Sequence, residues 1–334
     1  MIRMKKHLIY LVYLLISVLI ILTIIEFTVR QTLPQIRLSG TSQNLIVDSL
    51  YLSTPGIAAN KDGFSNGVVK HTNKYHAWKY SSELSTKYKI RLILGDSVTM
   101  GIGIENDSTF IGILNNKINS LNFINLSLIG YSSEDYYQVL KSYLNIHKNI
   151  EFSSVSVFWT LNDLYSNYPG NISPEINTNT FIQSIIDFLR NHSKTYHLLK
   201  NLFFDRAKDY YLYDSNFYGP KYSLLNESVN DLKMISEICD SFNISFQLFL
   251  LPYEFQIRNF NTETIFTPQN NLRSQLENEI KNINIIDCRD ALVEYADKSV
   301  KLYLYGDGIH LSEEGHKEVA AFILRKSFKV IPLN

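Results

Sequence analysis

The residues Gly95-Asp96-Ser97-Val98-Thr99-Met100-Gly101 follow an apolar run from Ile90 to Leu94. An apolar strand that breaks at glycine and presents Asp-Ser puts Ser97 at the carboxyl edge of a sheet, where open α/β proteins hold their ligands. A serine hydroxyl is a poor nucleophile near neutral pH, so it needs a base within hydrogen-bond reach and a third group that fixes the base's tautomer. Asp307-Gly308-Ile309-His310 offers both. A carboxylate three residues before an imidazole can accept from its Nδ1 and stabilise the imidazolium that forms. Ser312-Glu313-Glu314-Gly315-His316 follows, and Ser312 is expected to cap a helix that holds this loop.

Acyl transfer also needs donors aimed at the developing oxyanion, each worth about a hundredfold or more in rate. Three candidates lie just past apolar runs: the backbone N–H of Ser97, Gly130 after Asn125-Leu126-Ser127-Leu128-Ile129, and the side-chain amide of Asn162 in Thr160-Leu161-Asn162-Asp163. Glycine at 130 lets the backbone approach a ligand closely. Asp96 and Asp163 read as structural carboxylates that satisfy turn N–H groups, since acids at turns commonly do so. His316 reads as a helix-surface or packing residue. His7, His71, His76, His147, His192 and His197 show no metal-ligand spacing with cysteines or acids, so no metal site is expected.

The elements that must carry these groups are legible as five short apolar runs bounded by turn signals. They are Ile90 to Leu94, Phe123 to Leu126, Val155 to Trp159, Ile244 to Leu251 and Ile283 to Ile286, and they read as buried parallel strands. Helical spacing fills the intervals at Phe110 to Ile118, Tyr136 to Ile146, Leu224 to Phe242 and Leu272 to Ile280, and again at Glu314 to Phe328. This alternation predicts a three-layer α/β/α sandwich on a five-stranded parallel sheet. Between the third and fourth strands the connection from Asn162 to Ser223 is far longer than a crossover needs, which marks an insertion over 163–223. Its first part, Tyr165 to Thr180, is rich in Asn, Pro and Ser. Its second holds Phe203, Phe204, Tyr210, Tyr211, Tyr213, Phe217, Tyr218 and Tyr222. Those aromatics either pack a helical subdomain of their own or cap the site and touch a sugar, an acyl chain or a membrane; spacing favours the first.

Lys+Arg and Asp+Glu both number 32, so no net field recruits nucleic acid. Apolar residues make up 45% of the chain, with 22 Tyr and 19 Phe, which argues for a folded core over disorder. From Leu8 to Ile25 there is no charge, a length able to cross a bilayer as one helix. Arg3, Lys5 and Lys6 precede it, which predicts a cytoplasmic amino terminus and an extracytoplasmic remainder. Glu26 to Ser39 offers no small-x-small cleavage site, so the segment reads as an uncleaved anchor. Residues 1–30 are thus tip and anchor, 31–88 a stalk and irregular lead-in, and 89–330 the catalytic body. Cys239 and Cys288 are the only cysteines; a disulfide is open, with two buried thiols the favoured state.

Gly95-Asp96-Ser97, Gly130, Asn162-Asp163 and Asp307-x-x-His310, in this order, resemble the four blocks of the SGNH (GDSL-type) hydrolase superfamily over roughly Lys89 to Phe328, the insertion excepted. The resemblance implies a flavodoxin-like sandwich, Ser97 as nucleophile, His310 as base and Asp307 as its orienting acid. It also implies an oxyanion hole of Ser97, Gly130 and Asn162, and no metal or organic cofactor. Thr160 departs from the pattern, standing where the third block commonly has glycine, which bears on loop shape more than on chemistry. The Gly-x-Ser-x-Gly elbow of the other large serine-hydrolase architecture is not present. The expected function is a membrane-anchored serine esterase removing O-acyl groups, acetyl above all, from an envelope or exported glycan. Three alternatives stay open: an O-acyltransferase using the same triad, a lipid or lysophospholipid esterase, and a non-catalytic glycan-binding protein.

Overall fold

The computed structural model describes residues 2–33, 35–81, 89–118, 121–166, 180–296 and 302–327. Helix α1 (Ile2–Thr32) comes first. Its stretch Ile9–Thr32 is long and apolar enough to cross a membrane, and its most apolar part is left exposed by the rest of the chain. Two hairpins follow, β1 (Ile46–Tyr51) with β2 (Thr54–Ile57) and β3 (Asp62–Ser65) with β4 (Val68–His71). Asn66 and Gly67 join the second pair with φ of 46° and 78°. Two successive left-handed residues make the two-residue turn that matches strand twist, and Asn-Gly adopts it at least cost.

The expected stalk is therefore a packed layer. Ile36 is fully buried, Trp78 donates from Nε1 to the Ser127 carbonyl at 2.8 Å, and Tyr131 donates to the Pro55 carbonyl at 2.5 Å. Short alternating strands with polar punctuation carry little periodicity. They gain their burial from the body they lie on.

The body runs β5 (Lys89–Gly95), α2 (Ser97–Met100), α3 (Phe110–Lys117), β6 (Leu121–Asn125), α4 (Ser133–Ile146) and β7 (Phe152–Trp159). The insertion then supplies α5 (Thr180–His192), α6 (Lys194–Phe203) and α7 (Arg206–Ser215). After it come α8 (Leu224–Ser241), β8 (Ser245–Leu250), α9 (Glu254–Arg258) and α10 (Thr267–Glu279). The body closes with β9 (Asn284–Asp287), α11 (Arg289–Val293) and α12 (Glu313–Ser327).

The five strands β5 to β9 form one parallel sheet in the order β6-β5-β7-β8-β9. Helices α3 and α12 pack together, as do α4 and α8, giving the sandwich its helical layers. Strands covered on both faces need continuous apolar sequence, and Leu92, Val155, Val157 and Leu248 are fully buried. The chain leaves β5 for β6 on one side and returns to β7 on the other. The crevice at the carboxyl ends of β5 and β7 is therefore the topological switch point.

The insertion is tied to both ends of the molecule. Glu26 of α1 accepts from Ser193 Oγ and from the backbone N–H groups of Lys194 and Thr195 at 2.9 to 3.0 Å. Arg30 reaches the His192 carbonyl at 2.6 Å. The Asn, Pro and Ser-rich part, 167–179, lies outside the described residues. Cys239 and Cys288 are free, buried thiols.

Candidate active site

Asp96 shapes the turn out of β5. Its Oδ1 accepts from the Val98 N–H at 2.9 Å, which caps α2 and puts Ser97 at that helix's first position, and Gly101 ends it with φ of 74°. Ser97 Oγ lies 2.8 Å from His310 Nε2. His310 Nδ1 lies 2.7 Å from Asp307 Oδ1, which also accepts the backbone N–H groups of Ile309 and His310 at 3.1 and 2.8 Å. The three expected residues thus form one continuous hydrogen-bonded chain. Burial alone favours neutral groups, yet the Asp307 carboxylate holds the imidazole above its ordinary range. The His310 and Arg206 charges in turn keep Asp307 well below the usual carboxylate range.

Asn162 sits in the turn after β7. Its Nδ2 donates to Asp96 Oδ2 at 3.2 Å, the same oxygen that Ser97 Oγ approaches at 3.2 Å, so amide and hydroxyl flank one atom. Gly130 lies at the same sheet edge, buried, with φ of 82°, where a side chain would strain the backbone; the nearby Leu128 N–H donates to the Gly95 carbonyl at 3.2 Å. Ser97, as the first residue of α2, carries an N–H that helix geometry leaves without an intrahelical acceptor.

What the sequence did not reveal is how the Asn162 amide is oriented. Its Oδ1 faces two hydroxyls at 2.8 Å, Thr160 Oγ1 and Tyr253 Oη. Tyr253 also lies 2.7 Å from Asp214 Oδ2 of α7, and Tyr165 bonds the other Asp214 oxygen. A phenol has one proton and cannot donate to both. Burial raises the Asp214 carboxyl, with Asp96 adding to it, while the bonds from Tyr165 and Tyr253 lower it, so Asp214 and the Asn162 carbonyl oxygen share the one phenol proton. Burial and the Asp96 charge push Asp163 far up, and it accepts from Tyr136 Oη at 2.7 Å and contacts Thr160 Oγ1 at 2.9 Å. Thr160, at φ of −122°, has no need of glycine and uses its hydroxyl to hold Asn162. Tyr253 stands three residues past the end of β8 in Leu250-Leu251-Pro252-Tyr253, a polar residue at the active edge that position alone could have flagged. Asp214 had no such signal.

The insertion also braces the acid-bearing loop. Arg206 donates to the Gly306 carbonyl at 3.1 Å and stands beside Asp307. Gly306 and Gly308 take φ of 64° and 87°, and a methyl group on Gly308 would meet Ala207 Cα at 2.5 Å. The insertion's aromatics divide. Tyr211 and Tyr218 are buried, the latter accepting from Trp159 Nε1 at 3.0 Å, and Phe217 packs among Tyr165, Tyr213 and Tyr222. Phe203 and Phe204 face outward. His316 is buried, stacked on Phe110 and accepting its N–H at 3.1 Å, and burial lowers it to about 3, which fits packing and not proton transfer.

A flavodoxin-like sandwich with a hydroxyl, an imidazole and a carboxylate in line at its switch point defines a class of hydrolase scaffold, and the family model for GDSL-like lipase/acylhydrolase matches residues 92–323. The chain belongs to that family, whose chemistry is the cleavage of acyl esters. Among solved structures, a lipolytic G-D-S-L protein from Veillonella parvula is 14% identical, covering 73% of this chain and 100% of its own, with a TM-score of 0.43. Esterase EstA from Pseudoalteromonas is 12% identical over 72% of this chain and 97% of its own, with a TM-score of 0.43. The acetylxylan esterase Axe2 from Geobacillus stearothermophilus is 16% identical over 72% and 95%, also at 0.43. Among curated protein sequences none matches this chain.

Proposed function

We propose that this chain is a membrane-anchored, extracytoplasmic serine esterase that removes O-acyl groups, acetyl foremost, from an envelope or exported glycan. The observation that carries the esterase chemistry is His310 bridging Ser97 at 2.8 Å and Asp307 at 2.7 Å. In this reading His310 Nε2 takes the Ser97 proton as Oγ bonds to the carbonyl carbon, and the carbonyl electron pair moves onto oxygen. The oxyanion accepts from the Ser97 and Gly130 N–H groups and from Asn162 Nδ2. The imidazolium returns its proton to the departing alcohol oxygen, leaving an acyl group on Oγ. Water, deprotonated by the same histidine, then releases the carboxylic acid. Support for anchoring comes from α1 and for its orientation from the basic residues before it. The glycan assignment draws on the exposed Tyr213 and Tyr222 of the insertion, ring faces suited to sugars.

Labelling the full chain with a fluorophosphonate and mapping the adduct by mass spectrometry tests the first step. The adduct is expected on Ser97, with p-nitrophenyl acetate turnover falling about 10⁴-fold or more in Ser97→Ala. A folded wild-type protein that takes no label and turns over no ester would refute the proposal.

A further inference from the structure

Helix α5 turns large apolar side chains outward. Phe181, Ile182, Ile185 and Phe188 recur on one face at helical spacing and are 44 to 70% exposed. Its polar residues Gln183, Asp187 and Arg190 are half-buried, Asp187 accepting from the other two, and the Arg190 carbonyl accepts from the Ser39 N–H of the lead-in and meets His197 Nε2 of α6. Leu199, Leu202, Phe203 and Phe204 extend the apolar surface from α6 and are 48 to 77% exposed. Isolated exposed apolar residues are ordinary, but eight on two consecutive helices form a patch that water alone does not account for.

Its position names the occupant. The corner joining α5 to α6, at Ser193, is held by Glu26, the first charged residue after the uncharged run from Leu8 to Ile25, and by Arg30 one turn on. The patch therefore begins at the level where the apolar span of α1 ends, and an amphipathic helix at that level lies in the plane of a bilayer interface. Phe27 of α1, next to Glu26, is also 64% exposed. We infer that the α5–α6 face rests in the lipid interface beside α1, seating the catalytic body on the bilayer through a second contact. This rests on α1 being a membrane anchor.

The test uses the full chain in phosphatidylcholine vesicles containing acyl-brominated lipid. Single cysteines at Leu19, Phe188 and Asp209 carry a bimane label, while native Cys239 and Cys288 are buried and stay unlabelled. Labels at 19 and 188 are expected to be quenched about twofold or more and the label at 209, an exposed position of α7, to be unaffected. In Ile185→Glu/Phe188→Glu, a label at 203 is expected to lose its quenching while p-nitrophenyl acetate turnover stays within about twofold, which separates lost docking from lost folding. Quenching at 19 without quenching at 188 overturns the docking and leaves the anchor standing. No quenching at either overturns both. Protection of 188 without quenching, growing with protein concentration, would put a second copy of the chain on this face and overturn the proposal.

Discussion

Replacing Tyr253 with phenylalanine removes one oxygen, and its consequence can be worked out along the hydrogen-bond chain. Asn162 Oδ1 is held by two hydroxyls at 2.8 Å, one of them Tyr253 Oη, whose far side contacts Asp214 at 2.7 Å. A neutral hydrogen bond contributes about 1 kcal/mol net, so losing one lets the amide leave its working orientation with a bias of roughly fivefold. With Asn162 in the proposed role, deleting the amide altogether, as in Asn162→Ala, should cost a full oxyanion donor, about 10²–10³ in kcat. Tyr253→Phe is therefore expected to lower kcat on p-nitrophenyl acetate by about fivefold with KM little changed, since the bond is needed most when charge develops on the oxyanion. Because the tyrosine acts only through the asparagine, the double variant should be no slower than Asn162→Ala alone. Initial rates on the four proteins, with thermal melts confirming folding, decide the matter. An unchanged kcat in Tyr253→Phe, or penalties that multiply in the double variant, would refute the reasoning.

Turnover should need neutral His310. Since Asp307 holds its imidazole above 6.5, the acidic limb of kcat/KM is expected above that pH, and Asp307→Asn should shift the limb downward while costing about 10⁴ in kcat, read from pH–rate profiles. Buried Lys70 donates to the Met100 carbonyl at 3.1 Å, and burial lowers its amine to about 7 from 10.5. Between those values the unfolded chain binds more protons, so Lys70 makes stability rise with pH there; the melting temperature of Lys70→Met should lack that share of the slope from pH 7 to about 10. Gly308→Ala, at a left-handed φ against Ala207, should destabilise by about 1–3 kcal/mol in denaturant titrations and reduce activity with it.

The sheet and the triad were readable because each announces itself locally. Parallel strands covered on both faces must be apolar throughout, so each run falls within three residues of a strand; β7 begins at Phe152 and not Val155 because Ser153 and Ser154 interrupt the run while Phe152 and Ser154 still pair with β5, Ser153 being the extra residue at a register shift. Asp307 and His310 share one turn, so their spacing carries their geometry. The lead-in hairpins were harder: Asn66-Gly67 was a genuine turn signal, but four-residue strands offer too little alternation to stand out. The Asp214–Tyr253–Asn162 chain joins residues 39 and 91 positions apart, and only the folded insertion brings them together. The outward face of α5 has the spacing of any amphipathic helix. Periodicity says that a helix has an apolar side, not which way it points.

The junction of Glu26 and Arg30 with the α5–α6 corner bears on what this enzyme can reach. A catalytic body on a loose tether sweeps a hemisphere and meets esters at any height within its arc. Helix α1 is bonded directly to the insertion, and the insertion braces the loop that carries Asp307 and His310. With α1 in the bilayer as proposed, the active site would be held at one elevation and one azimuth relative to the membrane. Acyl groups must be delivered to that elevation, by a polymer threading past or a carrier in the same leaflet, and lengthening the polypeptide between α1 and β1 would not extend the enzyme's range while that junction holds.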